Sequence, residues 1–148
     1  MEKVNAPPHL GAVGICREGG KDALRVRICG DMTSKPPKPP GVRLRLDECL
    51  ARLPGPRGER FTELFRRGTL AVEVYAPRGS DPQQPHTRDE AYAVVRGSGW
   101  FVSGESRERF GPGDFLYVPA GVEHRFEEFT DDLAVWVIFF GPEGGEAL

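Results

Sequence analysis

The stretch QQPHTRDEAYAVVRG, residues 83–97, holds one of only three histidines in the chain, His86, four residues ahead of Glu90. A second histidine, His124, ends the spacing Gly113-x5-Pro119-x-Gly121-x2-His124, and Glu128 follows it by four. Two imidazoles and one carboxylate are the donor set of mononuclear divalent iron sites, and the same set accepts manganese, nickel or zinc. It leaves coordination positions open to substrate, water or dioxygen. Gln84, two residues before His86 and on the same side of an extended chain, offers a fourth and weaker oxygen ligand.

These residues can meet only if the backbone turns between them. In a continuous strand, residues four apart are separated by about 13 Å at roughly 3.3 Å per residue, too far for one ion. HTRDE must therefore bend, with Thr87, Arg88 and Asp89 as the turn, His86 ending one strand and Glu90 beginning the next. Gly113-Asp114 turns the chain into FLYVP, and Pro119-Ala120-Gly121 reverses it so that His124 starts a returning strand. Two hairpins would then converge three ligands.

The surrounding sequence supplies short β-prone runs separated by turn residues: TLAVEVYAP, EAYAVVRG, GWFVSG, RERFGPGDFLYVP, HRFEEF and LAVWVIFF. Their spacing predicts an all-β sandwich or barrel, and no βαβ alternation is present. Ahead of them, RLDECLARL places Leu46, Leu50 and Leu53 on one helical face, with Asp47 as N-cap and Pro54-Gly55 as the stop. ERFTELFRRG repeats the pattern through Phe61, Leu64 and Phe65, so one or two short helices are expected before the β region. LAVWVIFF is apolar on both faces, which calls for a cover on each side, either the N-terminal arm or, preferably, a second subunit.

Register selects further site candidates. In LAVEVYAP the apolar residues Leu70, Val72 and Val74 share one face and predict it as the core side, which turns Glu73 and Tyr75 outward; if turned inward they become substrate contacts. Tyr92 shares parity with Glu90 and Phe126 with His124, so both are candidate walls of a substrate cavity.

Composition bounds the rest. The chain has 148 residues and a net charge of -2, enough for one domain with a true core. It has no apolar run of the roughly 20 residues a membrane helix needs and no secretory or transit signature at MEKVNAPPHLGAVG, so a cytoplasmic location and no membrane partner are expected. Cys16, Cys29 and Cys49 show neither an even count nor zinc-finger spacing, and are expected as free thiols. Residues 35–67 carry nine Lys or Arg against four Asp or Glu, and residues 68–148 six against fourteen. The basic stretch lacks the aromatic interleaving of a nucleic-acid surface, so no nucleic-acid partner is expected. TSKPPKPPG, with four prolines within five positions, favours extended polyproline geometry and marks a boundary. Residues 1–41 are read as an arm and linker, partly disordered, and 42–148 as the β domain.

With those residues in view, the chain resembles the cupin superfamily, whose two motifs read G-x5-H-x-H-x3,4-E-x6-G and G-x5-P-x-G-x2-H-x3-N. His86 takes the second histidine of the first motif, Glu90 its glutamate and Gly97 its closing glycine. Gly113, Pro119, Gly121 and His124 fit the second. Gln84 stands in place of the first histidine, Arg78 in place of the opening glycine, and Glu128 in place of the asparagine. The motifs span residues 78–128. The resemblance implies an antiparallel double-stranded β-helix, the jelly-roll cupin barrel of RmlC-like proteins, with one divalent metal ion on His86, Glu90, His124 and Gln84. It further implies a small-molecule metalloenzyme of dioxygenase or of Lewis-acid isomerase or hydrolase type. The alternative is a non-catalytic small-molecule sensor on the same barrel, and either form is expected as a homodimer.

Overall fold

The structure is a computed structural model that describes residues 40–147. Residues 1–39, most of the arm and linker with Cys16 and Cys29, lie outside the described residues. One helix and eight strands follow in order: α1 (Leu46–Leu50), β1 (Phe61–Arg67), β2 (Leu70–Tyr75), β3 (Asp89–Arg96), β4 (Gly99–Ser103), β5 (Ser106–Phe110), β6 (Phe115–Val118), β7 (His124–Glu127) and β8 (Ala134–Phe140). They form two antiparallel sheets, a five-stranded one ordered β1-β2-β8-β3-β6 and a three-stranded one ordered β5-β4-β7. All six β-prone runs are strands, and the two sheets enclose a double-stranded β-helix barrel. Among the described residues no helix is long and apolar enough to cross a membrane.

The second expected helix is a strand. ERFTELFRRG forms β1, which pairs with β2 across the Gly68-Thr69 turn, with Phe61 opposite Tyr75 and Arg67 opposite Leu70. A register shift between Glu63 and Phe65 sets Leu64 and Phe65 side by side, and a bulge of this kind breaks the period of two. The apolar spacing that results imitates a helix. In α1 the N-cap is Arg45, with no side-chain cap, and Asp47 lies in the first turn, where the guanidinium of Arg96 donates to it at 2.7 Å.

β8 lies between β2 and β3 in the large sheet. Its register sets Val137 opposite Glu73 on one side and opposite Tyr92 on the other, and Val135 opposite Tyr75. These residues share the inner face. The core there consists of Tyr75, Tyr92, Val94, Val118, Leu133, Val135 and Val137, met from the small sheet by Phe101, Phe110 and Phe126. Tyr92 packs edge-on against Phe101 and Phe126 with centroids 5.7 and 5.2 Å apart, within the range of favourable aromatic pairs. The outward reading of Glu73 and Tyr75 is thus corrected. Val74 on the opposite face is fully buried too, so a strand covered on both sides gives no apolar alternation from which to choose its inner face.

The reversal at Pro119–Gly121 is also not a hairpin. β6 pairs with β3 in the large sheet while β7 pairs with β4 in the small one, so this turn carries the chain from one sheet to the other. It brings His124 to face β3 across the barrel.

Candidate functional site

His86, Glu90 and His124 come together at one end of the barrel, and their nearest donor atoms all lie within 4.8 Å of one another. Each arrives from a different place. Glu90 is the second residue of β3 and His124 the first of β7. His86 belongs to the unpaired segment 81–86 rather than to a strand, and the bend before β3 falls at Thr87-Arg88. Asp89, read as part of the turn, is instead the first residue of β3. Its buried carboxylate accepts the amides of Ala120 at 3.0 Å and Glu146 at 2.9 Å, tying the sheet-crossing turn and the C-terminal segment to the site. These two amides, Glu146 first, outweigh burial and hold Asp89 below the usual carboxylate range. The amide of Gly121 donates to the carbonyl of His86 at 2.8 Å, fixing that loop to the same turn.

The hydrogen bonds define which ring nitrogens are free. His86 Nδ1 lies 2.6 Å from the Arg88 carbonyl and His124 Nδ1 2.9 Å from the Val122 carbonyl. A carbonyl only accepts, so both Nδ1 atoms carry hydrogen. In the neutral rings both Nε2 atoms then present lone pairs, and both face one oxygen of Glu90. His86 Nε2 is in contact with Glu90 Oε2, and His124 Nε2 is 3.2 Å from it. His124 Nε2 is buried and has no hydrogen-bond partner.

Two lone pairs and a carboxylate, with Glu90 and His124 buried and His86 half-buried, repel one another unless positive charge lies between them. One proton shared by His86 and Glu90 would leave His124 Nε2 orphaned. A divalent cation engages all three donors, so this donor set fits one. Burial pushes the Glu90 carboxyl up, but its contacts with His124, His86 and Tyr92 outweigh this and hold it below the usual range. Burial lowers His124, and the Glu90 carboxylate with the Val122 carbonyl more than reverses that, leaving it raised.

The other candidates occupy distinct positions. The Tyr92 hydroxyl is 2.6 Å from Glu90 Oε2, and burial followed by that charge holds the phenol above its usual range. Phe126 is buried beneath the site, against Tyr92, Phe101 and Phe110. Tyr75 donates to Asp81 at 2.5 Å. Glu73 is raised by burial, then by the charges of Glu63 and Glu90. Gln84 is exposed; with Gln83, Pro85, Glu123, Arg125 and His124 it lines a recess of about 210 Å³. Strand parity does not hold in a proline-flanked, unpaired segment, and it is Gln83 that turns inward. Its Oε1 lies 2.7 Å from the Tyr92 hydroxyl. A second, more open recess of about 510 Å³ lies beside His86, Gly121 and Gly144.

Sequence reasoning missed Asp81, Gln83, Asp89 and Phe139. Phe139 sets its ring edge against His86 with centroids 5.1 Å apart. The Asp81-Pro82 pair signals a turn, but nothing local shows that the turn reaches β7, where Asp81 accepts the Phe126 amide at 2.7 Å.

Residues 71–140 match the family model described as Cupin domain. An uncharacterised protein of Streptomyces coelicolor is 37% identical over 101 residues, covering 67% of this chain and 95% of its own. Among solved structures, a Cupin 2 conserved barrel domain protein from Salinispora arenicola superposes with a TM-score of 0.53 at 24% identity, over 69% of this chain and 91% of its own. An RmlC-like cupin family protein from Methanocaldococcus jannaschii gives a TM-score of 0.48 at 17% identity, over 54% and 77%.

Proposed function

We propose that this chain, which belongs to the cupin superfamily, is a small-molecule metalloenzyme holding one divalent cation, iron, manganese, nickel or zinc, on His86, Glu90 and His124. The observation that carries the reading is His124 Nε2, a buried lone pair aimed with that of His86 at a single carboxylate oxygen and left without a partner. When bound, such an ion supplies open positions for dioxygen and a chelating substrate, or Lewis acidity toward a carbonyl.

The chain's own residues do the rest. The Arg88 and Val122 carbonyls fix both imidazoles in the tautomer that presents Nε2, the orienting role expected of a ligand's outer partners. Phe101, Tyr92 and Phe139 wall the group with aromatic rings and keep bulk water from it. Entry is from the recess beside His124, where Gln84 is placed to contact an incoming molecule rather than the ion. With the barrel interior filled by its core, that recess limits the substrate to a small molecule. Glu73 and Tyr75 lie on the inner face and line neither recess, and are assigned supporting roles.

The same reading makes the molecule a homodimer. The outer face of β8 leaves Trp136, Ile138 and Phe140 only partly covered, and Phe115 and Tyr117 of edge strand β6, beyond β3 in the same sheet, are 66% and 50% exposed. An apolar face of this kind marks an interaction site.

Function is tested by loading the purified protein with each ion in turn and following oxygen uptake and product formation with diols, thiols and β-diketones. Metal-dependent turnover is expected. Binding of these molecules, or of sugars, without turnover would replace the enzyme by the sensor reading.

A further inference from the structure

Around Tyr92 the hydrogen bonds are one proton short. Its hydroxyl oxygen is 2.6 Å from Glu90 Oε2 and 2.7 Å from Gln83 Oε1. Both are acceptors, and a phenol has a single hydrogen to give. Turning the Gln83 amide would supply a second hydrogen, but Asp81 prevents it. Gln83 Nε2 donates to Asp81 Oδ2 at 2.8 Å, and a carboxylate can only accept there. Asp81 is itself held by three further donors: the Tyr75 hydroxyl at 2.5 Å, the Gln83 amide at 3.2 Å and the Phe126 amide at 2.7 Å. The orientation of Gln83 is therefore set from outside the site, and Tyr92 must choose between Glu90 and Gln83.

We propose that Tyr92, Gln83 and Asp81 form a positioning relay that holds Glu90 while it is free and transmits its engagement by the cation to the recess wall. The inference rests on the cation reading above. While Glu90 Oε2 is free, its full charge draws the Tyr92 hydrogen. Once that oxygen is engaged it becomes a weaker acceptor, and Tyr92 donates to Gln83 instead. Gln83 lines the recess beside His124, and Asp81 joins the same segment to β7 through Phe126. Loading of the ion and shape of the entrance are then linked through one hydroxyl. Tyr92, Gln83 and Asp81 are positioning residues; none is a ligand.

The test compares wild type, Tyr92→Phe and Gln83→Met. It reads zinc affinity by calorimetry and the side-chain amide resonance of Gln83 with and without zinc. In wild type, zinc is expected to bind and to shift the Gln83 amide signal. Tyr92→Phe loses the hydrogen bond that free Glu90 keeps and the ion displaces, and is expected to bind zinc at least as tightly as wild type. Its Gln83 signal should stay in place at zinc saturation. Gln83→Met keeps the ring and removes the acceptor, and covers the case in which Tyr92→Phe fails to fold; a several-fold loss of affinity is expected. A Gln83 signal that stays still in zinc-saturated wild type, or moves equally in saturated Tyr92→Phe, overturns the relay and leaves the cation site standing. So does wild-type zinc affinity in Gln83→Met. A wild-type protein that binds neither zinc, iron, manganese nor nickel overturns the cation reading and the relay with it.

Discussion

At the scale of single residues, the chemistry depends on groups whose surroundings deny them water. Glu73 shows the cost most directly. It faces the barrel interior, lies directly across from Glu63 on β1, and has its pKa raised by burial, then by Glu63 and Glu90. A carboxyl raised in the folded state binds its proton more tightly there than in the unfolded chain. Stability therefore falls as pH rises from the unfolded value, near 4.5, through the folded one, and the loss is complete above it. Glu73→Gln removes the charge. In chelator-treated protein it should melt at a higher temperature than wild type at pH 8, with the difference vanishing near pH 4. A lower melting temperature at pH 8 would contradict the like-charge account. Leu133, fully buried in the core, makes the opposite case: Leu133→Ala should lower stability by about 2–5 kcal/mol in chemical denaturation.

At the scale of elements, turns carry the site. Gly97 follows β3 with φ +82, and a Cβ there would lie 2.6 Å from the Leu133 Cα and 2.9 Å from its nitrogen. Gly113 has φ +95 and open space around it. Both Ala substitutions meet the left-handed backbone cost, about 1–2 kcal/mol, but only Gly97→Ala also forces two backbones apart. Denaturant unfolding should show Gly97→Ala as the more destabilising by at least about 1 kcal/mol; equal losses would mean that the close approach relaxes freely. This scale also shows what the sequence disclosed. The turn-bounded β runs and the spacing of His86, Glu90 and His124 were legible because turn residues and motif spacing are local. β1 was not, because its bulge sets Leu64 beside Phe65 and erases alternation. The inward turn of Glu73 and Tyr75 was hidden because both faces of β2 are covered. Gln83 was passed over for Gln84 because parity was applied to a segment that pairs with no strand. Asp81 and Asp89 join segments 45 and 57 residues apart, and no local pattern encodes such a reach.

At the scale of the whole molecule, two sheets whose strands interleave along the sequence close on each other, and the candidate centre exists only where they meet. Glu90 comes from the large sheet, His124 from the small one and His86 from the loop tied to the turn between them. The partly exposed apolar face of β8 and β6 adds an expectation at this scale. Light scattering on the purified protein should give the mass of a dimer, and Phe115→Lys with Tyr117→Lys should give a monomer that retains the barrel; a wild-type monomer would contradict the interface. Whether one cation sits on His86, Glu90 and His124 is decided by metal analysis of the purified, metal-supplemented protein beside His86→Ala and His124→Ala. About one divalent ion per chain in the wild type, and its loss in both variants while each stays folded by circular dichroism, is the expected result. A folded wild type without a stoichiometric ion, or full retention of the ion in both variants, would contradict it.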